Sequence, residues 1–426
     1  NVYVADYVNR RVRMIPKGGG AYFGQSMTAN NIYTIAGEGT PTFSGEGTVA
    51  TSGKVNGPRS VHVDANGNIY EADYGNHRIL FIPKTAGTYY GQSMGANALY
   101  TVAGNGTGAF IGDGGLATSG SIKNPIDVTL DANGNIYIAD YANERIRFVP
   151  QAGGTYFGQT MTANYIYTLV GDGTGAYGGD GGPSTSAQIW GPTGVSLDAE
   201  GNLYVADFKN HRIRFVAKTG GTYFGQAMTA NYIYTIAGNG TASYGGDGAV
   251  ATAAQMNFPR DVSIDVRGNV YIADRTNHRI RFVPKAGGTY FGLSMTANNI
   301  YTIVGDGTGS FSGDGGICTS ARVNSPSGVS VDVSGNVYIA DTTNDRIRFV
   351  PVTGGTYFGQ ARTANYIYTI GGAGSLPYNG ENAVATGKYI MDPYGVFAAL
   401  DHMVYTTDDN NKIRMIAGED FIAPST

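Results

Sequence analysis

Cysteine is all but absent from this chain: one residue of 426, Cys318, carries a thiol, so no disulfide can close within it. A sequence that avoids cysteine in this way fits an exported bacterial protein. Charge is scarce as well. Asp, Glu, Lys and Arg together make up 14% of the residues, against about a quarter in ordinary globular domains. The formal net charge is −4, and there is no basic excess of the kind that marks a nucleic-acid binder. No apolar run approaches the roughly 20 residues of a membrane-spanning helix, which argues against membrane insertion. Nor is there a long stretch with the 3.6-residue periodicity of an amphipathic helix, so alternating strands and helices are not expected.

Glycine and tyrosine are abundant, at 66 and 31 residues, and 42% of the chain is apolar. That mixture suits many short strands joined by tight turns, and it is too rich in Tyr, Ile and Val for a disordered Gly-rich segment. The sequence opens at Asn1 in what reads as the interior of a strand, without Met or a leader. A leader has been removed, or the chain is part of something longer.

A repeat organises the whole sequence. The motif Asn-hydrophobic-Tyr-x-Ala-Asp occurs as NVYVAD at Asn1, NIYEAD at Asn68, NIYIAD at Asn135, NLYVAD at Asn202, and NVYIAD at Asn269 and Asn336. A divergent copy, MVYTTD, begins at Met403, and every step is 67 residues. Within one unit, Gly194–Asp198 reads as a first strand and Ala-Glu-Gly-Asn as a hairpin turn. Leu203–Asp207 and Arg212–Val216 read as the second and third strands. A Gly-rich insert then leads to a fourth at Tyr232–Gly238. Four-stranded antiparallel units repeated around an axis make a β-propeller. A solenoid is the competing architecture, although its repeats are usually shorter.

The recurring string P-x-G-V-x-x-D-x-x-G-N-(I/V/L)-Y-(I/V)-A-D-x-x-N-x-R-I-R, best kept at Pro192–Arg214 and Pro326–Arg348, resembles the NHL repeat. The linker IYTIAGNGTASYGGDG resembles that of bacterial secreted NHL-repeat proteins and of the NHL region of teneurin-like proteins. The resemblance implies an all-β fold: one propeller of four-stranded blades over residues 1–426, with partial blades at 1–37 and 395–417. Strand counting gives 26 strands, or six and a half blades. Seven blades are expected, with six as the alternative. A strand lent by a neighbouring molecule would complete an open blade and link copies head to tail.

Candidate residues recur with the repeat. Asp73 and Arg78, Asp140 and Arg145, Asp207 and Arg212, Asp274 and Arg279, and Asp341 and Arg346 are each five residues apart. They are expected to form bidentate links across a tight turn, and their presence in every unit points to architecture. Asp113, Asp180, Asp247 and Asp314 sit in Gly-rich loops, with Glu46 and Glu381 at the matching positions. Such loops offer oxygen ligands to Ca²⁺, though a turn closed by an Asx bond explains them equally. No other cofactor is implied. Of five histidines, His77, His211 and His278 share one repeat position and lie too far apart around a ring to meet at one metal. His62 and His402 fall near first strands that face the channel.

The insert GGTYFGQ places Tyr89, Tyr156, Tyr223, Tyr290 and Tyr357 between the third and fourth strands. These aromatics pad the outer sheet or else form a repeated contact surface for self-assembly or sugar stacking. Asn105 and Asn239 open Asn-Gly-Thr acceptor patterns for N-glycosylation. No Gly-x-Ser-x-Gly elbow is present, and Cys318 lacks an activating neighbour. The sequence reads as a non-enzymatic structural or binding propeller, extracellular or at the cell surface. Its expected partners are other copies of itself or a surface polysaccharide. A lectin-like glycan binder and a lyase or lactonase acting in the channel are the alternatives.

Overall fold

The computed structural model describes residues 2–6, 10–15, 20–28, 33–358, 360–372, 374, 393–398, 404–408 and 412–416. Each 67-residue unit folds as the motif requires. In the second complete blade the strands are Pro125–Leu130, Ile136–Asp140, Arg145–Val149 and Tyr165–Val170, hydrogen-bonded in that order and antiparallel throughout. Five such four-stranded blades are complete among the described residues: Pro58–Ala103, Pro125–Val170, Pro192–Ala237, Pro259–Val304 and Gly328–Gly371. They are called blades one to five below.

The blade count departs from expectation. Among the described residues, neither seven complete blades nor six are found. The sheets before blade one (Val2–Asp6, Arg11–Ile15, Tyr33–Ala36) and after blade five (Val396–Ala398, Val404–Asp408, Lys412–Ile416) have three strands each. They lie against each other, and no ladder among the described residues joins them into one four-stranded blade. Sequence register locates strands but not which sheet each one joins.

The linker between blades does more than connect. In blades two, three and five it adds a short fifth strand outside the fourth, at Gly115–Leu116, Gly182–Pro183 and Gly316–Ile317. Each blade is thereby tied at its outer edge by chain arriving from its predecessor. The core lies between blades. Tyr70, Ile79 and Phe81 of blade one pack on Ile136, Ile138 and Val149 of blade two. The second strands are buried at every residue, because both their faces meet a neighbouring blade.

Antiparallel order places the 2–3 loops and the starts of the first strands at one end of the ring. The 1–2 turns and the 3–4 inserts lie at the other end. The inserts form two-stranded hairpins, such as Gly154–Tyr156 with Gln159–Met161. The hairpin folds back against its own blade, with the Tyr156 ring 5.2 Å from Phe148 and Met161 buried.

Candidate functional site

The side chains that recur with the repeat are mostly engaged within the fold. In blade two, Asp140 stands opposite Arg145 in the ladder, yet its ion pair goes to Arg147. The expected five-residue pairing is therefore corrected to a seven-residue one: Asp140–Arg147, Asp207–Arg214, Asp274–Arg281 and Asp341–Arg348, at 3.2–3.4 Å. Arg145 instead donates to backbone carbonyls of Asn143 and Asp172, and stacks 3.6 Å from the ring centroid of Phe110 in the linker. Arg212, Arg279 and Arg346 stack in the same way on Tyr177, Tyr244 and Phe311. Arg78 lies over Phe43. In blade one, position 80 is Leu, so Asp73 has no such arginine and is held by Asn56 N–H and the Asn76 amide.

The loop aspartates considered for Ca²⁺ close the same clamp. Asp113 accepts from Arg147 at 2.8 Å and from the Thr168 hydroxyl. Asp180, Asp247 and Asp314 accept from Arg214, Arg281 and Arg348. Glu46 takes the backbone and hydroxyl of Thr101, and Glu381 lies outside the described residues. No group of three or more potential metal ligands converges among the described residues.

The repeated histidines link neighbouring blades. His77, His211 and His278 each accept, through Nδ1, a backbone N–H of the next unit, from Asn124, Phe258 and Ser325. Glu144 fills that role toward Gly191 N–H. Partial burial pushes all three imidazole pKa values down, which suits an acceptor nitrogen. Asn105 and Asn239 cap turns, accepting from Thr107 and Thr241 N–H. Asp172 and Asp306 do the same in the sister loops. Tyr89, Tyr156, Tyr223, Tyr290 and Tyr357 are half-buried, each with its ring 5.2 Å from a third-strand Phe. Cys318 is buried and its thiol is pushed up to about 11 by that burial.

What the repeat does not use collects in the central channel. A cavity of about 360 Å³ lies among the first strands. The residue after the first-strand proline is Arg59, Ile126, Thr193, Arg260, Ser327 and Tyr394 in successive units, between an invariant Pro and a Val three residues later. All six line this cavity. Near-identical copies that differ at one channel-facing position carry a signal of asymmetry, which reading for shared residues passes over.

One step deeper, the column reads Ser60, Asp127, Gly194, Asp261, Gly328 and Gly395. Asp127 accepts from the Ser60 hydroxyl and from the backbone of Val128 and Val195. Asp261 accepts from Val262 and Val329 N–H. Each carboxylate thus fastens its own first strand to the next blade's. The glycine beside each is required: a Cβ at Gly194 would lie 3.0 Å from Asp261 Oδ1, and one at Gly328 would lie 2.8 Å from Tyr394 O.

Electrostatics set the character of the mouth. Burial, then the like charges of Arg59 and Arg275, hold the Arg260 guanidinium at about 10, still cationic at neutral pH. Burial raises Asp261 to about 7, although Val329 N–H opposes it. Burial lowers His62 to about 4, leaving the ring neutral. His402 lies outside the described residues. Around the mouth, Tyr74 lies against Arg59. The 2–3 loop and linker residues Tyr141, Trp190 and Lys209 cluster on the same end, with Trp190 41% exposed. This end can hold a ligand through cations and flat aromatic faces.

Three segments, residues 190–214, 256–281 and 323–348, match the family model of the NHL repeat. Teneurin-1 of Homo sapiens is 25% identical over 262 residues, which is 56% of this chain and 8% of that protein. NHL repeat-containing protein 3 of Homo sapiens is 25% identical over 199 residues, 46% of this chain and 51% of the relative. The chain thus spans a small part of the first and about half of the second. Among solved structures, an auxiliary nutrient binding protein from Bacteroides thetaiotaomicron superposes with a TM-score of 0.51 at 12% identity, covering 97% of this chain and 84% of that one. At that identity the likeness concerns the fold.

Proposed function

We propose that this chain, an NHL-repeat β-propeller, is a non-catalytic binding module that works outside the cell or at its surface. Its ligand is a surface polysaccharide, received at the end of the ring that carries the 2–3 loops. One observation carries the reading. Polar side chains that recur with the repeat hold blades together, as in the Asp113–Arg147–Asp140 clamp, which blades two to five share. Among those that break the repeat, Arg59, Arg260 and Tyr394 line the channel at one axial end.

Identical blades would offer several equivalent sites, but a repeat-breaking site is single. The module therefore grips one feature of a chain rather than summing weak contacts around its rim. The insert aromatics on which self-association would draw are half-buried against their own third strands, and the polysaccharide is the preferred partner. The extracellular placement rests on the cysteine-poor composition. No helix among the described residues is long and apolar enough to cross a membrane.

The test is binding of purified chain to an array of bacterial and plant polysaccharides, with Trp190→Ala and Tyr74→Ala as probes. Binding that either variant weakens supports the proposal. Failure to bind any glycan, with head-to-tail polymers of the chain in cryo-EM images, would replace it with self-assembly.

A further inference from the structure

We infer that the seam between blades one and two holds a second binding site, one for a neutral sugar unit, at the end of the ring opposite the channel mouth. A cavity of about 310 Å³ lies there between the 1–2 turns of the two blades. Asp64 and Asn66 line it on one side, Asp131 and Asn133 on the other.

This seam departs from the repeat at several positions at once. Asn66 and Asn133 stand where blades three to five carry Glu200, Arg267 and Ser334. Gln151, also in the lining, stands where the other blades carry Lys84, Lys218, Lys285 and Val352. His62, a third lining residue, replaces Thr129, Ser196, Ser263 and Ser330. Tyr90 takes the place of a phenylalanine. Its hydroxyl lies 3.0 Å from that of Tyr70 and donates to Gly134 O at 2.8 Å. Both tyrosines are buried, and Tyr70 and Gly134 line the cavity. The bridge therefore ties the insert of blade one to the turn of blade two and fixes the spacing of the two walls before any ligand arrives.

The free groups are neutral amides. Among the described residues, Asn66, Asn133 and Gln151 hydrogen-bond through their backbone N–H and leave the side-chain amide unpaired. An amide offers both donors and an acceptor, the combination that adjacent sugar hydroxyls need. Val63 and Leu130, both partly buried, add an apolar wall for the C–H face of a pyranose.

Charge and size exclude the alternatives. Two carboxylates and no Lys or Arg line the cavity among the described residues, so an anion is repelled. Burial holds His62 at about 4, which leaves the ring neutral. Asp64 and Asp131 are engaged by backbone N–H groups of their own turns and by the Asn68 and Asn135 amides, which disfavours a metal ion. The volume lies at the lower end of the range for small-molecule sites, which starts at about 300 Å³, and suits a single ring.

The experiment is ligand-observed NMR of the full chain with the methyl glycosides of glucose, galactose and mannose, with methyl glucuronide and calcium chloride in parallel. At least one neutral glycoside should bind, and at least about ten-fold more tightly than the glucuronide, whose charge has the sign of the lining. Asn133→Ser and Gln151→Val borrow the residues of blade five. Each should weaken binding about five-fold, the scale of one neutral hydrogen bond. Ser334→Ala, at the position of Asn133 in blade five, should leave it unchanged.

Absence of binding by all three glycosides, a glucuronide bound as tightly as they are, or full affinity in both variants overturns the inference. Calcium binding that either variant abolishes puts a cation in place of the sugar and overturns it as well. None of these results touches the reading above, which is tested at Trp190 and Tyr74 on the opposite end.

Discussion

Arg147 Nη1 lies 3.4 Å from Asp140 Oδ2, and both side chains are closed to solvent. The same guanidinium reaches Asp113 at 2.8 Å, so one buried arginine joins a strand of its own blade to the linker arriving from the blade before. Its remaining Nη1 contact is the carbonyl of Ser121, again on that linker. The clamp recurs around Arg214, Arg281 and Arg348. It explains why the loop aspartates and the second-strand aspartates recur together.

Removing the buried arginine leaves an uncompensated carboxylate in the core. Arg214→Met should destabilise the protein by about 3–5 kcal/mol, the cost of breaking a buried pair. Arg212→Ala removes a half-exposed stack on Tyr177 and should cost about 1 kcal/mol. Chemical denaturation of the two variants measures the contrast. Equal losses would show that the seven-residue pair has no special weight. Adding Asp207→Asn to Arg214→Met should restore part of the stability, since the orphaned charge is then gone.

Blade one breaks the clamp and should be the weakest. Glu71 stands where sister blades carry Ile138, Val205, Ile272 and Ile339, and opposite it Leu80 replaces the arginine. Its carboxyl is fully buried, with neither oxygen hydrogen-bonded. Burial, then the charge of Asp73, raises its pKa well above the ordinary value. A pKa raised by folding means the native state binds more protons. Stability is then fully present below the unfolded carboxyl value, near 4.3, and is lost as pH rises through the folded one. Glu71→Ile should stabilise the protein at neutral pH by about 1–3 kcal/mol and flatten its alkaline decline. Melting temperatures across a pH series decide this. A variant less stable than the parent at neutral pH would mean that the carboxyl has an unseen partner.

The histidine links give the opposite slope. His77, His211 and His278 accept backbone N–H groups through Nδ1, and folding lowers their pKa values, chiefly by burial. Their contribution is present above the unfolded value, near 6.5, and is lost as pH falls through the lower folded values. His278→Gln, whose amide oxygen can accept at any pH, should lose less melting temperature than the parent between about pH 7.5 and pH 5. The comparison isolates the histidine from the carboxylates that titrate in the same range. An identical acid response in the two proteins would exclude the mechanism.

Much of the blade was legible beforehand. Strand boundaries in Pro192–Val216 follow from Val, Ile and Tyr in short runs broken by the Ala-Glu-Gly-Asn turn and the Phe-Lys-Asn-His loop. The match of Tyr-x-Ala-Asp to Arg-Ile-Arg gave the ladder register, with Asp207 opposite Arg212. The ion-pair partner was not legible. Arg212 and Arg214 are both available on paper, and burial against the linker chooses Arg214. The aromatic at Phe110, Tyr177, Tyr244 or Phe311, which covers both arginines, comes from a distant loop.

The sequence by itself determined the repeat, the strand order within a blade and the inward-facing apolar residues, because each depends on neighbours within about 25 positions. Tertiary structure decided the rest. Among the described residues it set five complete blades flanked by two three-stranded sheets, because pairing across 67-residue units is a matter of ring geometry. It also brought Arg59, Arg260 and Tyr394 to one cavity. These three stand at matching positions of units far apart in the chain, and only closure around an axis turns equal positions in a repeat into a single site.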